Sequence, residues 1–439
     1  MAKYKAYPEY KDSGVEWFDV RPLSWKVTRL KLETFMNMGQ SPSSDDCNIE
    51  GDGLAFLQGN AEFGKVNPIE KQYCPVAKKI ANTGDILFSV RAPVGAMNFA
   101  DKKYGIGRGL CSISASEKVT SPFLWWLLPT YKYQLDAIAT GSTFEAVSAE
   151  QLGNLCFALP SISEQSQIAA FLDHETTKID DLIEKQQQLI ELLKEKRQAV
   201  ISHAVTKGLN PDVPMKDSGV EWLGELPSHW QALPTKRLFR LVAEPAEINN
   251  DYELLSVYTA IGVAPRKDLE PKGNKASTTD GYWKVRQGDI IVNKLLAWMG
   301  AVGFSNYDGV TSPAYDILRK VKDINPKFYH YLFRLELTQR EFKRWSRGIM
   351  EMRLRLYFEE LGRIIMPVPP RQEQDVIVEE IEKIEHQYSQ LENIASHQID
   401  LLQERRTALI SAAVTGKIDV RDWIAPDTQD VEESQEATA

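Results

Sequence analysis

A near-identical internal repeat divides the chain into two similar halves. The heptapeptide KDSGVEW at residues 11–17 returns unchanged at residues 216–222. Further matches are Pro22 and Trp25 with Pro227 and Trp230, Gly84-Asp-Ile with Gly288-Asp-Ile, and AVISHAVT from Ala199 with ALISAAVT from Ala408. Because self-similarity at a fixed period of about 205 to 209 residues marks a duplicated architecture, the two halves are expected to fold alike.

Each half ends in a long stretch that contains neither glycine nor proline. Apolar residues alternate at steps of four and three along both stretches, residues 163–206 and 372–415, which is heptad spacing. At 1.5 Å per residue, each stretch predicts a helix of roughly 65 Å.

A single helix of this length cannot bury its own apolar seam, so the two copies are expected to pair. Antiparallel pairing is favoured because the intervening folded block can reach back and give a pseudo-two-fold arrangement. Two alternatives stay open: each helix packs on its own globular block, or further helices join the bundle, as the polar seam positions Gln186 and Arg405 suggest.

The remaining parts of each half combine short β-branched or aromatic runs, such as DILFSV and DIIVNK, with glycine turns and short helical patterns. The predicted class is therefore α+β, with two mixed α/β domains separated by two long helices that pair as an antiparallel coiled coil. The predicted boundaries are 1–162 and 207–371 for the mixed domains, 163–206 and 372–415 for the helices, and 416–439 for an acidic, disordered tail.

The net charge of −9 is not spread evenly along the chain, so it does not by itself argue against a nucleic-acid partner. The two helices and the terminal stretch 422–439 together carry −15, so the mixed domains are neutral to mildly basic and permit DNA binding. Four cysteines without CxxC spacing, no signal-peptide pattern and no long apolar run predict a cytoplasmic protein without disulfides, metal or membrane contact.

No catalytic motif is present. The sequence lacks a phosphate-binding GxxxxGK[ST] loop, a GxGxxG turn and the Asn-Pro-Pro-aromatic motif of amino-methyltransferases, and its six histidines are scattered. We therefore expect no enzymatic activity, no bound cofactor and no metal.

Two clusters favour contact with a polyanion. In the second half, cations interleave with Phe342 and Trp345 at Arg340, Lys343, Arg344, Arg347, Arg353 and Arg355. In the first half, the corresponding candidates are Arg91, Lys102, Lys103, Arg108, Ser142 and Thr143, the last two being hydroxyls that can bond phosphate or base. A basic helix is more commonly a solvated face, but two clusters at equivalent repeat positions favour binding.

The sequence resembles a known family, the specificity subunits of type I restriction-modification enzymes. The resemblance covers nearly the whole chain. It is carried by both KDSGVEW openings, by NKLLAWMGAVGFSNYDGVTSPAY from Asn293, by RLRLYFEELGRIIMPVPPRQEQ from Arg353, and by the helix ends LLKEKRQAVISHAVT and LLQERRTALISAAVT.

The resemblance implies two target-recognition domains that each read one half of a bipartite, asymmetric site in double-stranded DNA. It adds Asn293, Lys294 and Trp298 to the candidate DNA contacts, although Ser89, Val90 and Arg91 stand at the matching place in the first domain. Helices of this length would span half-sites about 34 Å apart on one face of the duplex.

The resemblance also implies partners. The helices would dock two methylation subunits, with candidate docking residues Leu182, Leu189, Leu193, Leu391, Leu402 and Leu409. Motor and nuclease subunits would join the full complex, and S-adenosylmethionine, ATP and Mg would be bound by those partners. The alternative function is a coiled-coil protein scaffold without sequence-specific DNA binding; a self-contained methyltransferase is disfavoured by the missing motif.

Overall fold

Two long helices dominate the secondary structure. The computed structural model describes residues 4–132, 134–135, 146–269, 279–350 and 353–425. Its helices are α1 (Leu30–Glu33), α2 (Ser121–Leu127), α3 (Ala149–Gly153), α4 (Ile162–Lys207), α5 (Arg266–Leu269), α6 (Pro326–Phe333), α7 (Glu336–Trp345), α8 (Phe358–Leu361) and α9 (Arg371–Val414). None of the helices in these described ranges is long and apolar enough to cross a bilayer.

The strands fall into two sets, one in each half of the chain. The first set is β1 (Tyr10–Val15), β2 (Phe18–Pro22), β3 (Lys26–Arg29), β4 (Thr34–Met38), β5 (Leu54–Leu57), β6 (Tyr73–Cys74), β7 (Ile80–Ala81), β8 (Ile86–Ser89), β9 (Met97–Phe99), β10 (Tyr104–Ile106), β11 (Leu110–Ala115) and β12 (Cys156–Leu159). The second set is β13 (Met215–Asp217), β14 (Glu225–Pro227), β15 (Gln231–Pro234), β16 (Phe239–Val242), β17 (Leu255–Tyr258), β18 (Gly262–Pro265), β19 (Trp283–Val285), β20 (Ile290–Asn293), β21 (Val302–Phe304), β22 (Gly309–Thr311), β23 (Tyr315–Lys320) and β24 (Ile365–Val368).

The duplication seen in the sequence is also a duplication of sheets. The first half has an antiparallel sheet in the order β4-β11-β8-β9, and the second half has the matching order β16-β23-β20-β21. The hairpin β1-β2 likewise matches β13-β14, and the pair β3-β12 matches β15-β24. The predicted fold class, with two mixed α/β blocks and two long helices, is confirmed.

The repeated sequence motifs form the same turns in both halves. In KDSGVEW, Asp12 accepts a hydrogen bond from Gly14 N at 2.7 Å, and Asp217 accepts one from Gly219 N at 2.9 Å. Both glycines have φ near +70°, a left-handed conformation that favours glycine. The identity of the motif is thus explained by local turn chemistry.

Equivalent side chains also join each opening segment to a long helix. The indole of Trp25 donates to Glu164 at 3.2 Å, and the indole of Trp230 donates to Glu373 at 3.0 Å. Glu164 and Glu373 lie in the first turns of α4 and α9. The Pro-x-x-Trp spacing therefore places a buried indole against the start of a long helix in each half.

The chain forms two compact units, each with its own core. Unit 1 comprises residues 1–186 and 397–439, and unit 2 comprises residues 187–396. The main core of unit 1 joins Ile168 and Leu172 of α4 to Leu409 and Ala413 of α9. Each long helix thus contributes one end to each unit.

The helices pair antiparallel within each unit. In unit 1, Gln167 bonds to the carbonyl of Trp423, just beyond α9, while Asp180 pairs with Arg406 at 2.8 Å. Rising residue numbers on α4 therefore meet falling numbers on the partner segment. In unit 2, Arg197 pairs with Glu392 at 3.0 Å, and the core contains Val205 together with Ile381 and Ile377. The first turns of both helices also pack on the block that precedes them.

Two details differ from the sequence-based expectation. Leu182, Leu189 and Leu391 fall on the heptad positions of the predicted seam, yet they are exposed to solvent. Residues 416–425, predicted to belong to a disordered tail, pack against the N-terminal segment: Ile418 and Val420 are buried, and Asp419 N donates to Lys5 O at 2.8 Å. The remaining tail residues, 426–439, lie outside the described ranges.

Candidate nucleic-acid interface

Three of the candidate DNA-contacting residues, Arg91, Asn293 and Lys294, lie at equivalent strand ends in the two halves. Strands β8 and β20 both follow a Gly-Asp turn in which the aspartate accepts a hydrogen bond from a backbone N–H three residues before it, at 2.8 Å for Asp85 and 2.9 Å for Asp289. The central strands then end beside a neighbour, with Ser89 opposite Leu110 and Asn293 opposite Tyr315. The same backbone position is thus presented by both domains.

In the first domain this strand end carries two arginines. Val90 N donates to Gly109 O at 3.0 Å, so the turn that carries Arg108 lies next to the end of β8, while Arg91 forms an antiparallel bridge with Ala146. Both arginines are exposed, and neither side chain has a hydrogen-bond or ion-pair partner among the described residues. Two unpaired guanidinium groups are therefore available to one polyanion.

Polar side chains beside Arg108 complete this surface and were missed in the sequence. The Gln58 amide donates to Ser41 Oγ at 2.7 Å, and the same oxygen accepts the backbone N–H of Arg108 at 3.1 Å. A Cβ on Gly107 would lie 2.8 Å from Gln58 Oε1, so glycine is needed for close packing there. Only the fold shows this proximity, because Gln58 and Ser41 stand in no recognisable motif.

The other candidates of the first domain differ in their surroundings. Lys102 pairs with Glu70, and this hydrogen bond raises the pKa of the lysine and lowers that of the carboxyl group. Lys103 is exposed and has no side-chain partner in the described ranges. Ser142 and Thr143 lie outside the described residues.

In the second domain, two candidates at the strand end are engaged internally. Asn293 is buried, and its Oδ1 accepts the backbone N–H of Leu295 at 3.0 Å. Lys294 Nζ donates to Pro313 O at 3.0 Å and lies 3.3 Å from Asp316 Oδ1. Burial raises the pKa of Asp316. These two side chains fix the turn after β20 and are not in a position to contact DNA without leaving their partners.

The cations on and after α7 are mostly paired with acidic residues. Arg340 lies 2.5 Å from Glu336, Arg344 lies 3.5 Å from Glu221, and Arg347 pairs with the buried Glu360. Lys343 Nζ lies 5.0 Å from the ring centroid of Trp298, a cation-π distance. The indole of Trp298 donates to Leu295 O at 3.0 Å. These contacts reduce the positive charge that the sequence cluster offers to a ligand.

Arg353 and Arg355 are the exceptions. Both are exposed, and neither side chain has a partner within the described part of the chain. Leu356 N donates to Lys294 O at 2.9 Å, just as Val147 N donates to Val90 O at 2.8 Å in the first domain, so the segment that carries Arg353 and Arg355 lies beside the end of β20. Each domain therefore has two unpaired arginines near this strand end, but they lie on different segments in the two domains.

The candidate docking leucines show graded burial. Leu182, Leu189 and Leu391 are exposed, Leu193 and Leu402 are half-buried, and Leu409 is buried in the unit 1 core. The sequence did not single out a neighbouring stripe that is identical in the two helices and spaced along one helical face. It consists of Leu192, Glu195, Ala199 and Ser202 on α4 and of Leu401, Glu404, Ala408 and Ser411 on α9. In both copies the first three residues are exposed and the serine is half-exposed.

Each copy of this stripe has a cleft of about 590 Å³ beside it, one cleft in unit 2 and the other in unit 1. In unit 2, Ala199 and Ser202 face Leu335 and Leu337 across the cleft. In unit 1, Ile410 and Ser411 face Pro129 and Thr130. The same helical surface is thus presented twice next to an open groove.

Comparison with known proteins agrees with this arrangement. Residues 36–192 match the family described as type I restriction modification DNA specificity domain. A putative type I restriction enzyme specificity subunit, MjaX, from Methanocaldococcus jannaschii is 40% identical over 181 residues, which cover 40% of this chain and 42% of the relative. The EcoDI specificity subunit of Escherichia coli is 23% identical over 362 residues, covering 76% of this chain and 77% of the relative.

Two solved structures share the fold. One, from work on complex assembly and conformational transition of the type I R-M system, gives a TM-score of 0.69 at 16% identity and covers 91% of this chain and 99% of its own. The HsdS subunit of Thermoanaerobacter tengcongensis gives 0.54 at 16% identity, covering 91% and 98%.

The duplicated sheets and the two long helices define a protein with two similar mixed α/β domains. Residues 36–192 thus match the domain of that family, and most of the chain is similar in sequence and fold to type I restriction enzyme specificity subunits. Among the described residues, no group of three or more His, Cys, Asp or Glu side chains is arranged to hold a metal ion.

Proposed function

We propose that each mixed domain reads one half of a bipartite site in double-stranded DNA. The observation that carries this proposal is the equivalence of the two strand ends, which share a backbone frame but present different side chains. In the first domain Arg108 lies beside Gln58 and Arg91 follows β8, whereas Arg353 and Arg355 lie beside exposed apolar residues in the second. A shared frame with different side chains suits two different half-sites.

Arginine and glutamine are suited to base reading for geometric reasons. A guanidinium group bonds bidentately to guanine O6 and N7, and a carboxamide bonds bidentately to adenine N6 and N7. Cations that stay unpaired in the free protein reach phosphates or bases without first losing an acidic partner. Arg91, Arg108, Arg353 and Arg355 meet this condition; Arg340, Arg344 and Arg347 do not.

The identical stripes on α4 and α9 support docking of two copies of one partner, the methylation subunit. One partner surface that binds twice requires the same residues twice, and Leu192 and Leu401 are 61% and 49% exposed. Exposed leucines next to a groove supply the apolar contact that such a subunit needs. The chain itself acts without catalysis. Adenine methylation with S-adenosylmethionine, together with ATP- and Mg-dependent translocation and cleavage, is left to the methylation and motor/nuclease subunits.

Domain exchange tests the proposal. Residues 208–366 are replaced by the matching block of another family member, and methylated adenines are mapped in a genome that carries the hybrid chain with its methylation subunits. We expect one half of the recognised sequence to change and the other half to stay. An unchanged site would refute independent reading, and loss of methylation with intact assembly would show that the blocks are not interchangeable readers.

Point substitution then separates base contacts from phosphate contacts. Arg353→Gln or Arg355→Gln is expected to weaken binding to the mapped site more than binding to random duplex, by about 1–3 kcal/mol for a guanine contact. Equal losses on both duplexes would assign these arginines to phosphates. A protein scaffold without DNA recognition would instead bind both duplexes weakly, with no steep salt dependence.

A further inference from the structure

A short hairpin projects from the second domain directly after α7. We call it the tip hairpin; its described residues are 347–350 and 353–355. Arg347 and Arg355 exchange both backbone hydrogen bonds, each at 2.9 Å, and Arg353 N donates to Met350 O at 2.8 Å. The first pair closes the base of the hairpin, and the last bond closes its turn.

The base of the hairpin is fixed to the domain. Leu356 is buried and bonds through its backbone to Lys294, and Arg347 pairs with the buried Glu360. Gly348 has a φ of +157°, and a Cβ there would lie 2.7 Å from Arg353 O, so the two arms approach closely at a position that only glycine fits. The base of the hairpin is therefore held by the domain.

Two large apolar side chains occupy the arm that leads into the turn. Ile349 is fully exposed, and Met350 is 58% exposed. Neither belongs to a hydrophobic cluster among the described residues. An exposed apolar pair beside cations is costly in water and calls for a partner that covers it.

The flanking charges identify the kind of partner. Neither Arg353 nor Arg355 forms an ion pair among the described residues, so two cations border the apolar pair; Glu351, which stands between the apolar pair and Arg353 in the sequence, lies outside the described residues. A protein partner would have to provide acidic groups around an apolar pocket, whereas duplex DNA offers phosphates around stacked bases. Architectural DNA-binding proteins combine the same two elements, cations on the backbone and an apolar wedge between base pairs.

We propose that Ile349 and Met350 form a wedge that enters a base-pair step of the half-site read by the second domain, unstacking it and kinking the duplex. This inference rests on the proposed function and adds to it an indirect mode of reading. Pyrimidine–purine steps unstack most easily, so the wedge would favour such a step without hydrogen-bonding to its bases.

The test uses the full chain with its methylation subunits and duplexes that carry the mapped site. 2-Aminopurine, which brightens when it unstacks, replaces one adenine at a time in the second half-site. The wild-type complex is expected to raise the fluorescence at one step, and Ile349→Ser with Met350→Ser is expected to abolish the rise and lower affinity about tenfold. Ile248→Ser removes an isoleucine that is 78% exposed in the same half of the chain and should change neither measurement.

Each other outcome is decisive. Specific binding by the wild type without a fluorescence rise at any step overturns the wedge while leaving the proposed function intact. A loss of affinity that is reproduced by replacing thymine with uracil overturns it in favour of contact with a thymine methyl group. Loss of a methylation subunit from the double variant, seen by size-exclusion chromatography, overturns it in favour of a protein partner. If the wild-type complex does not distinguish the mapped site from random duplex, the proposed function itself fails.

Discussion

Removal of Arg353 and Arg355 should change the salt dependence of DNA binding by an amount that the structure fixes. The segment from Arg340 to Arg355 contains six cations, but three are paired with acidic residues and Lys343 lies over the Trp298 ring. Each phosphate contact adds about 0.9 to the slope of log affinity against log salt. Two unpaired arginines therefore account for a slope of about 1.8, whereas six would account for about 5.4.

The slope translates into a measurable difference in affinity. Between 50 and 200 mM salt, a slope difference of about 1.8 corresponds to a factor of about 12. The Arg353→Gln/Arg355→Gln variant should accordingly lose about 12-fold less affinity than the wild type over this range. Fluorescence anisotropy with a labelled random duplex measures this term, because on random sequence the two arginines find no guanine in register and meet phosphates instead. On the mapped site, the loss of a guanine contact adds about 1–3 kcal/mol to this effect.

The matched control is Arg340→Gln/Arg344→Gln, which removes the same charge from cations that already have acidic partners. Its slope should stay within about half a unit of the wild type, since fewer counterions are released at paired positions. If the two double variants reduce the slope equally, the ion pairs do not decide which cations meet DNA. The reasoning from the structure would then be wrong.

Three further results are expected. Burial lowers the pKa of His330 to about 3, below the value near 6.5 in the unfolded chain, so the free energy of unfolding falls as the pH drops below 6.5. Urea unfolding should show a loss of about 2 kcal/mol by pH 5, and this loss should be absent in His330→Asn. Arg319→Met removes the bidentate partner of the Asp289 carboxylate, which is 2% exposed, and should destabilise the second domain by about 3–5 kcal/mol. An equally large loss of stability in Arg319→Met/Asp289→Leu would contradict this cause. Leu192→Lys/Leu401→Lys should abolish co-elution with methylation subunits while the variant chain keeps its circular dichroism spectrum, and undiminished co-elution would exclude the stripes as the docking surface.

The sequence was sufficient for those features of the fold that are encoded locally. The repeated heptapeptide specifies an aspartate and a left-handed glycine, Asp12 with Gly14 and Asp217 with Gly219, and both turns appear as the repeat predicts. Two long helices could likewise be predicted because both stretches lack glycine and proline and have apolar residues at heptad spacing. In both cases the determining residues are close together along the chain.

The features that the sequence did not predict depend on contacts between distant residues. Heptad spacing places Leu182 and Leu391 on the apolar face of their helices, but it does not show whether another element covers that face. Both leucines are exposed. The cation cluster is similar: Arg344 pairs with Glu221, 123 residues earlier in the chain. The charge that remains for DNA is therefore a tertiary property.

The two cores give a physical reason why the domains can diverge independently. The core around Trp25 and Phe123 and the core around Trp230 and Phe328 have no residue in common. A substitution at a strand end in one unit therefore need not disturb packing in the other. If, as proposed, both helix stripes fit the same subunit surface, they have no such freedom, and Leu192 and Leu401 are indeed identical in the two repeats while Arg91 and Leu295 differ at the same strand position.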